Sequence, residues 1–191
     1  CGKQCFYYIA KKAGFQPGFF VLQRLLEGNI KRNGPLPFCI GWGSRGKKGR
    51  FGMKEYRVGV VGATGMVGQR FVSLLEHHPW FKLAAVAASA RSAGKPYEQA
   101  VGGRWAMPGP IPEAAKGLIV RDAADVQGIA RDVDFVFCAV DMKKEEIRAL
   151  EEAYARAECP VVSNNSTHRF TPDVPMVVPE VNAGHIEVIP F

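Results

Sequence analysis

No two cysteines in this 191-residue chain stand in a C-x-x-C pair, and the five cysteines are an odd number. That argues against a zinc ribbon, a thioredoxin-like motif and a fully paired disulfide scaffold, and it fits a reduced, cytoplasmic setting with no metal site. No apolar run approaches the roughly 18 residues of a membrane span, so no membrane partner is expected. Internal repeats and low-complexity tracts are missing after residue 52. Hydrophobic residues make up 47% and charged residues 23%. Both are ordinary for a globular protein and exclude a disordered or collagenous chain.

Acidic residues are nearly missing from residues 1–52, where Glu27 alone faces ten lysines and arginines. This segment therefore carries +9 of the formal +7, and residues 53–191 carry −2, from 15 basic and 17 acidic side chains. The high pI belongs to the first segment, so it is no argument that the larger piece binds nucleic acid. The first segment also lacks a fold signal. Gly and Pro interrupt it repeatedly, and its best periodic stretch, Phe19 to Leu26, is too short for an isolated helix. It reads as a basic arm, a targeting peptide or non-native sequence such as translated upstream DNA, and the last is favoured. The chain opens on Cys1, and Met53 stands directly before Lys-Glu-Tyr-Arg-Val-Gly-Val-Val. The expected division is a basic, unstructured or non-native extension over 1–52 and a folded domain over 53–191.

That domain alternates strand and helix patterns. Tyr56 to Val61 is a β-branched run. Val67, Phe71, Leu74 and Leu75 then mark one helix face, which Pro79 ends. Phe81 to Ala88 is strand-like, and a Gly/Pro-rich region runs from Gly94 to Pro112. Leu118–Val120 predicts a short strand, Ala123–Ala130 a short helix and Val133–Val140 a buried strand. Lys143–Glu158 predicts a helix with Ile147, Leu150 and Tyr154 inward and its charges outward; Val161–Val162 and Met176–Val178 complete the strands. Such alternation predicts an α/β class, a Rossmann-like doubly wound parallel sheet.

Four clusters carry chemistry. In Gly62-Ala-Thr-Gly-Met-Val-Gly68, Gly62 allows a tight turn off the strand, Gly65 lets backbone approach a pyrophosphate, and Gly68 lets the helix pack closely. The N–H groups of Thr64, Gly65, Met66 and Val67 would face the phosphates at the positive helix end. After the second strand comes Ala88-Ser-Ala-Arg-Ser-Ala-Gly-Lys95, with no carboxylate before Glu98. An acidic residue there would accept from an NAD ribose. Ser89, Arg91 and Ser92 instead suit a 2′-phosphate, so NADP is the expected cofactor. Cys138-Ala139-Val140 ends a strand with small residues against which a ribose or flat ring could lie, and Ser163 to Arg169 ends the next with polar groups. From that loop Asn164 or Asn165 would touch the cofactor and Arg169 would grip an anionic substrate group, unless the loop is only turns and helix caps.

Taken together, Val58 to Gly68, Ser89 to Lys95, Ser163-Asn-Asn-Ser-Thr-His-Arg169 and Val174-Pro-Met-Val-Val-Pro-Glu-Val-Asn182 resemble aspartate-semialdehyde dehydrogenase, nearest its archaeal and fungal branch. The resemblance covers residues 53 to about 185 in order. It implies NADP-dependent reductive dephosphorylation of 4-phospho-L-aspartate to the semialdehyde, an early step of lysine, methionine, threonine and isoleucine synthesis, in a homo-oligomer. It also implies Thr64 to Val67 at the cofactor phosphates, Ser89, Arg91 and Ser92 near the 2′-phosphate and Arg169 on the phosphate of the acyl-phosphate substrate; the reading of the residues themselves adds Gly62, Gly68, Ala139 and Asn164 to the cofactor set.

The chemistry of the resembled family needs a thiolate and a neighbouring histidine. Its cysteine stands in an Asn-Cys-Ser/Thr motif that neither Phe-Cys138-Ala nor Glu-Cys159-Pro matches, and neither His168 nor His185 matches its histidine. The resemblance therefore implies a truncated enzyme with no catalytic residue in this chain, inactive alone. N-acetylglutamyl-phosphate reductase and a malonyl-CoA-reducing relative stay as alternatives. So does a non-catalytic NADP-binding regulatory module. A short-chain dehydrogenase is disfavoured, because the only Tyr-x-x-x-Lys spacings, Tyr7–Lys11 and Tyr8–Lys12, precede the first strand of the domain.

Overall fold

The computed structural model describes residues 6–9 and 55–188. Its strands are β1 (Phe6–Ile9), β2 (Tyr56–Val61), β3 (Phe81–Ala88), β4 (Arg121–Asp122), β5 (Phe135–Cys138), β6 (Val161–Ser163) and β7 (Met176–Val177). The helices are α1 (Met66–Leu75), α2 (Tyr97–Val101), α3 (Glu113–Lys116), α4 (Val126–Asp132), α5 (Lys144–Arg156) and α6 (Pro179–Asn182). All seven strands form one sheet in the order β4-β3-β2-β5-β6-β1-β7. The run β4-β3-β2-β5-β6 is parallel throughout. Numbered from β2, these five strands read 3-2-1-4-5, the doubly wound order, so connections depart in opposite directions at the β2–β5 boundary.

Strand composition explains the burial. Val58, Val60, Phe135 and Phe137 face a core with Phe71, Val72 and Leu75 of α1 and Tyr97 of α2. Val61, Val136 and Val161 face the opposite core with Ile129 of α4 and Tyr154 of α5. A sheet covered on both faces needs continuous apolar strands, and β2 and β5 supply them. Phe71 stacks on Phe137 with ring centroids 4.7 Å apart, which fixes α1 over β5. Asp125 caps α4 by accepting from the Gly128 N–H at 3.1 Å.

The structure departs from the sequence expectations in five places. Phe6–Ile9 is a strand, antiparallel between β6 and β7, although residues 1–52 were expected to be unstructured. Phe-Tyr-Tyr-Ile is the aromatic and β-branched composition that strands favour. The rest of that segment, with the expected boundary at residues 52 and 53, lies outside the described residues. Leu118–Val120 forms no paired strand beyond a single bridge from Ile119 to Pro96; β3 pairs with Arg121–Asp122 instead. Inside the Gly/Pro-rich region sits α2, and its Tyr97 is wholly buried. Leu74, expected inward on α1, is exposed, while Gly68 and Gln69 are buried. Glu151 of α5, expected outward with the other charges, is 1% exposed. Among the described residues no helix is long and apolar enough to cross a membrane.

Candidate functional site

Because β3, β2, β5 and β6 are parallel neighbours, the residues after them lie along one edge of the sheet. Ser89 follows β3, Gly62 follows β2, Ala139 follows β5 and Asn164 follows β6. Strands lie about 4.8 Å apart, so these four ends span roughly 14 Å, with the topological switch point at their centre. All four of the predicted clusters therefore meet along one edge.

At the switch point the backbones touch. Gly62 has φ +86°, and a Cβ there would sit 2.6 Å from the Ala139 carbonyl carbon and 2.9 Å from the Val140 nitrogen. The Gly62 and Ala63 N–H groups both donate to the Ala87 carbonyl, at 2.8 and 3.0 Å, and the Ala139 N–H donates to the Val61 carbonyl at 2.8 Å. At Gly68 a Cβ would overlap the Gly62 carbonyl and lie 2.7 Å from Ala63 Cα. Gly62 and Gly68 are thus required by the protein itself. Gly65 is different: a Cβ there would meet only the Gly62 carbonyl oxygen at 3.5 Å, an ordinary contact, in an extended backbone. Its lack of a side chain leaves space in front of α1.

α1 begins at Met66 with Gly65 as its cap residue, and no side chain caps it. The first-turn N–H groups of a helix have no internal acceptor, so those of Met66 and Val67 form a donor pair at its positive end. Met66 is 70% exposed and Val67 and Thr64 are half-buried, which leaves this end open to a ligand.

Sequence reasoning missed two residues that brace the turn. Gln69, 2% exposed, donates through Nε2 to the Thr64 and Arg104 carbonyls, both at 3.0 Å, and accepts at Oε1 from the Ala106 N–H at 2.8 Å. The Tyr97 hydroxyl donates to the Ala63 carbonyl at 2.8 Å, and burial pushes its ionisation upward. Two successive carbonyls of the turn are thereby held inward.

Ser89 and Arg91 are exposed and Ser92 is half-buried. The Ser92 N–H turns back to the Ser89 carbonyl at 2.9 Å. Arg91 pairs with no carboxylate among the described residues, so a guanidinium and two hydroxyls stand at the β3 end with no competing acid.

The loop after β6 is organised from below. Asn165 donates through Nδ2 to Glu151 Oε1 at 2.9 Å and lies 3.5 Å from Cys138 Sγ. The Asn164 N–H bonds the Cys138 carbonyl at 2.9 Å, and its side chain bonds no described residue. Of the two asparagines, Asn164 is the one with an available amide. Arg169 is exposed, and its N–H lies 3.4 Å from the Ser166 carbonyl. His168 is buried beside it. In the last motif, Asn182 folds back on β7, accepting from the Val178 N–H at 2.6 Å and donating to the Met176 carbonyl at 2.8 Å. Its place here is structural.

Both described cysteines are free and buried. Cys138 is fully buried, and burial followed by the Glu151 carboxylate raises its thiol well above the usual range. Burial pushes Cys159 to about 12. A thiol held neutral in this way is a core side chain.

A family model described as "Semialdehyde dehydrogenase, NAD binding domain" matches residues 57–189. The aspartate-semialdehyde dehydrogenase of Trichophyton rubrum is 46% identical over 136 residues, covering 70% of this chain and 35% of that protein. That of Archaeoglobus fulgidus is 43% identical over 137 residues, covering 71% and 37%. Among solved structures, aspartate semialdehyde dehydrogenase with NADP from Candida albicans superposes with a TM-score of 0.64 at 39% identity, over 70% of this chain and 36% of that one. Aspartate semialdehyde dehydrogenase II from Vibrio cholerae, complexed with ASA, superposes with a TM-score of 0.53 at 25% identity, covering 71% and 39%. The chain spans little more than a third of the length of the relatives it matches.

Proposed function

The chain belongs to the semialdehyde dehydrogenase family through its NAD binding domain, and on that premise we propose that residues 53–191 are the NADP-binding part of an aspartate-semialdehyde dehydrogenase. The reaction proposed for the whole protein is reductive dephosphorylation of 4-phospho-L-aspartate, with a homo-oligomeric enzyme as its setting. The observation that carries this reading is the Gly62–Ala139 junction at the switch point, beside an uncapped α1 N-terminus with space in front of Gly65. Thr64, Met66 and Val67 would hold the pyrophosphate through backbone N–H groups and Gly65 would allow its close approach, with Gly62 and Gly68 shaping the turn that presents them. Ser89, Arg91 and Ser92 would take the 2′-phosphate through charge-assisted hydrogen bonds. Ala139 and Asn164 would border the second ribose, and Arg169 would hold the substrate phosphate. NADPH, when bound, supplies hydride. Neither Cys138 nor Cys159 is assigned the thiolate step in this reading, since both thiols are buried and burial disfavours their ionisation.

Calorimetric titration with NADP and NAD tests the reading. NADP should bind more tightly, and Arg91→Ala should narrow that preference by about tenfold, with thermal unfolding of the free protein unchanged. Absence of binding, or a preference for NAD, overturns it.

A further inference from the structure

Glu151 is the one buried acidic side chain among the described residues, and it lies twelve or more residues before the loop it serves. It projects from the middle of α5, on the same stripe as the buried Ile147 and Tyr154, into the space beneath the ends of β5 and β6. Oε1 accepts from the Ser163 hydroxyl and from Asn165 Nδ2. The Ser163 oxygen in turn accepts from the Asn165 N–H at 3.0 Å. Oε2 faces His168 Nε2 at 3.8 Å, beyond hydrogen-bond distance, and neither atom has a hydrogen-bond partner. On the far side of the ring, His168 Nδ1 lies 3.2 Å from Thr171 Oγ1. One carboxylate thus reaches the start, middle and end of the segment 163–168. Asn164 and Arg169 each stand next in sequence to a residue that Glu151 holds or faces.

Burying a carboxylate under two neutral donors and an imidazole is unfavourable compared with an apolar side chain of similar size. Packing alone therefore does not account for it. We propose that Glu151 is a positioning residue: through Ser163, Asn165 and His168 it sets the conformation of the 164–169 loop, so that Asn164 and Arg169 are presented at the ligand edge. This rests on the functional reading above only for what those two residues touch; the loop's dependence on Glu151 stands apart from it.

The experiment compares Glu151→Ala, Glu151→Gln and Glu151→Leu in the full chain, by hydrogen exchange of the 164–170 amides without ligand and by NADP calorimetry. Glu151→Ala should speed loop exchange and weaken NADP by about tenfold, and Glu151→Gln should restore most of both. Glu151→Leu separates positioning from filling. It should keep or raise thermal stability while the loop exchanges as fast as in Glu151→Ala. Wild-type loop protection in Glu151→Leu overturns the proposal. If Glu151→Ala does not fold, Ser163→Ala with His168→Phe tests the same network from the loop side, and unchanged loop exchange in that pair overturns it equally. If wild type fails to bind NADP, the exchange comparison still decides the role of Glu151, and only the reading of the ligand falls.

Discussion

The glycine turn at 62–68 and the polar loop at 163–169 both border the switch point, yet they are held in different ways. The turn is fixed by backbone against backbone: Gly62 meets Ala139, Gly68 meets Gly62, and no side chain fits between them. The loop is fixed by side chains: the Ser163 hydroxyl and the Asn165 amide donate to Glu151 on another element, and His168 faces its second oxygen. Both are braced by buried polar side chains on helices, the turn by Gln69 and Tyr97 and the loop by Glu151. Gln69 lies within the same motif as its turn, whereas Glu151 lies a strand away from its loop. A sterically determined site has few alternatives and should fail abruptly. A site held by hydrogen bonds can be loosened in steps.

The largest effects should come from breaking the turn. Gly68→Ala places a methyl group on the Gly62 carbonyl and Ala63 Cα, and Gly62→Ala adds a left-handed φ to a clash with Ala139. Each should lower stability by about 3 kcal/mol or more in urea unfolding and abolish NADP binding. Gly65→Ala is the control that sharpens the contrast. Its methyl group meets only an ordinary contact, so stability should change by less than about 0.5 kcal/mol while NADP binding weakens strongly. Equal destabilisation at all three positions would show that the space before α1 serves the fold and not a ligand.

A smaller effect tests the brace. Gln69→Leu leaves the Ala106 N–H and the Thr64 and Arg104 carbonyls without their buried partner. The expected loss is about 2 kcal/mol, with a measurable fall in NADP affinity as the Thr64 peptide relaxes. Unchanged stability would mean that water replaces the amide and that the turn is held by sterics alone.

This contrast also explains how much could be read from the sequence. Glycine spacing, apolar strands and the order of elements are local signals, so the doubly wound sheet and the turn were legible. So was the missing carboxylate between Ala88 and Glu98, because an absence at a fixed offset from a strand is local too. Gln69 and Glu151 were not legible by the same means, since a polar residue on a helix is normally assigned to solvent. The clue lay in register. Glu151 stands four residues after Ile147 and three before Tyr154, which places it on the buried stripe, and Gln69 lies between Gly68 and Phe71 on the buried face of α1. The choice between Asn164 and Asn165 needed the partners of Asn165, which only the folded chain supplies. The β1 strand was not legible because a charge count over 52 residues hid a four-residue run of three aromatics and an isoleucine.

The smallest effect concerns a residue remote from both regions, and it asks whether acid acts on the sheet or on the site. His78 Nδ1 accepts from the Trp80 and Phe81 N–H groups at 3.2 and 3.0 Å, and its ring stacks on Phe81 at 4.7 Å. An imidazole that accepts at Nδ1 cannot carry a proton there. Burial, and then the Lys82 charge, lower its pKa below the ordinary 6.5. In the unfolded chain His78 therefore takes up a proton first as pH falls. Its contribution to stability is complete above about 6.5 and is lost as pH drops through the lower folded value. The urea midpoint of the wild type should fall between about pH 7.5 and about pH 5 by more than that of His78→Asn. Hydrogen exchange at the 164–170 amides should not respond differently in the two proteins. If His78→Asn instead abolished a loop-specific response to acid, the start of β3 and the Glu151 network would be coupled, and the separation between a steric region and a hydrogen-bonded one would fail.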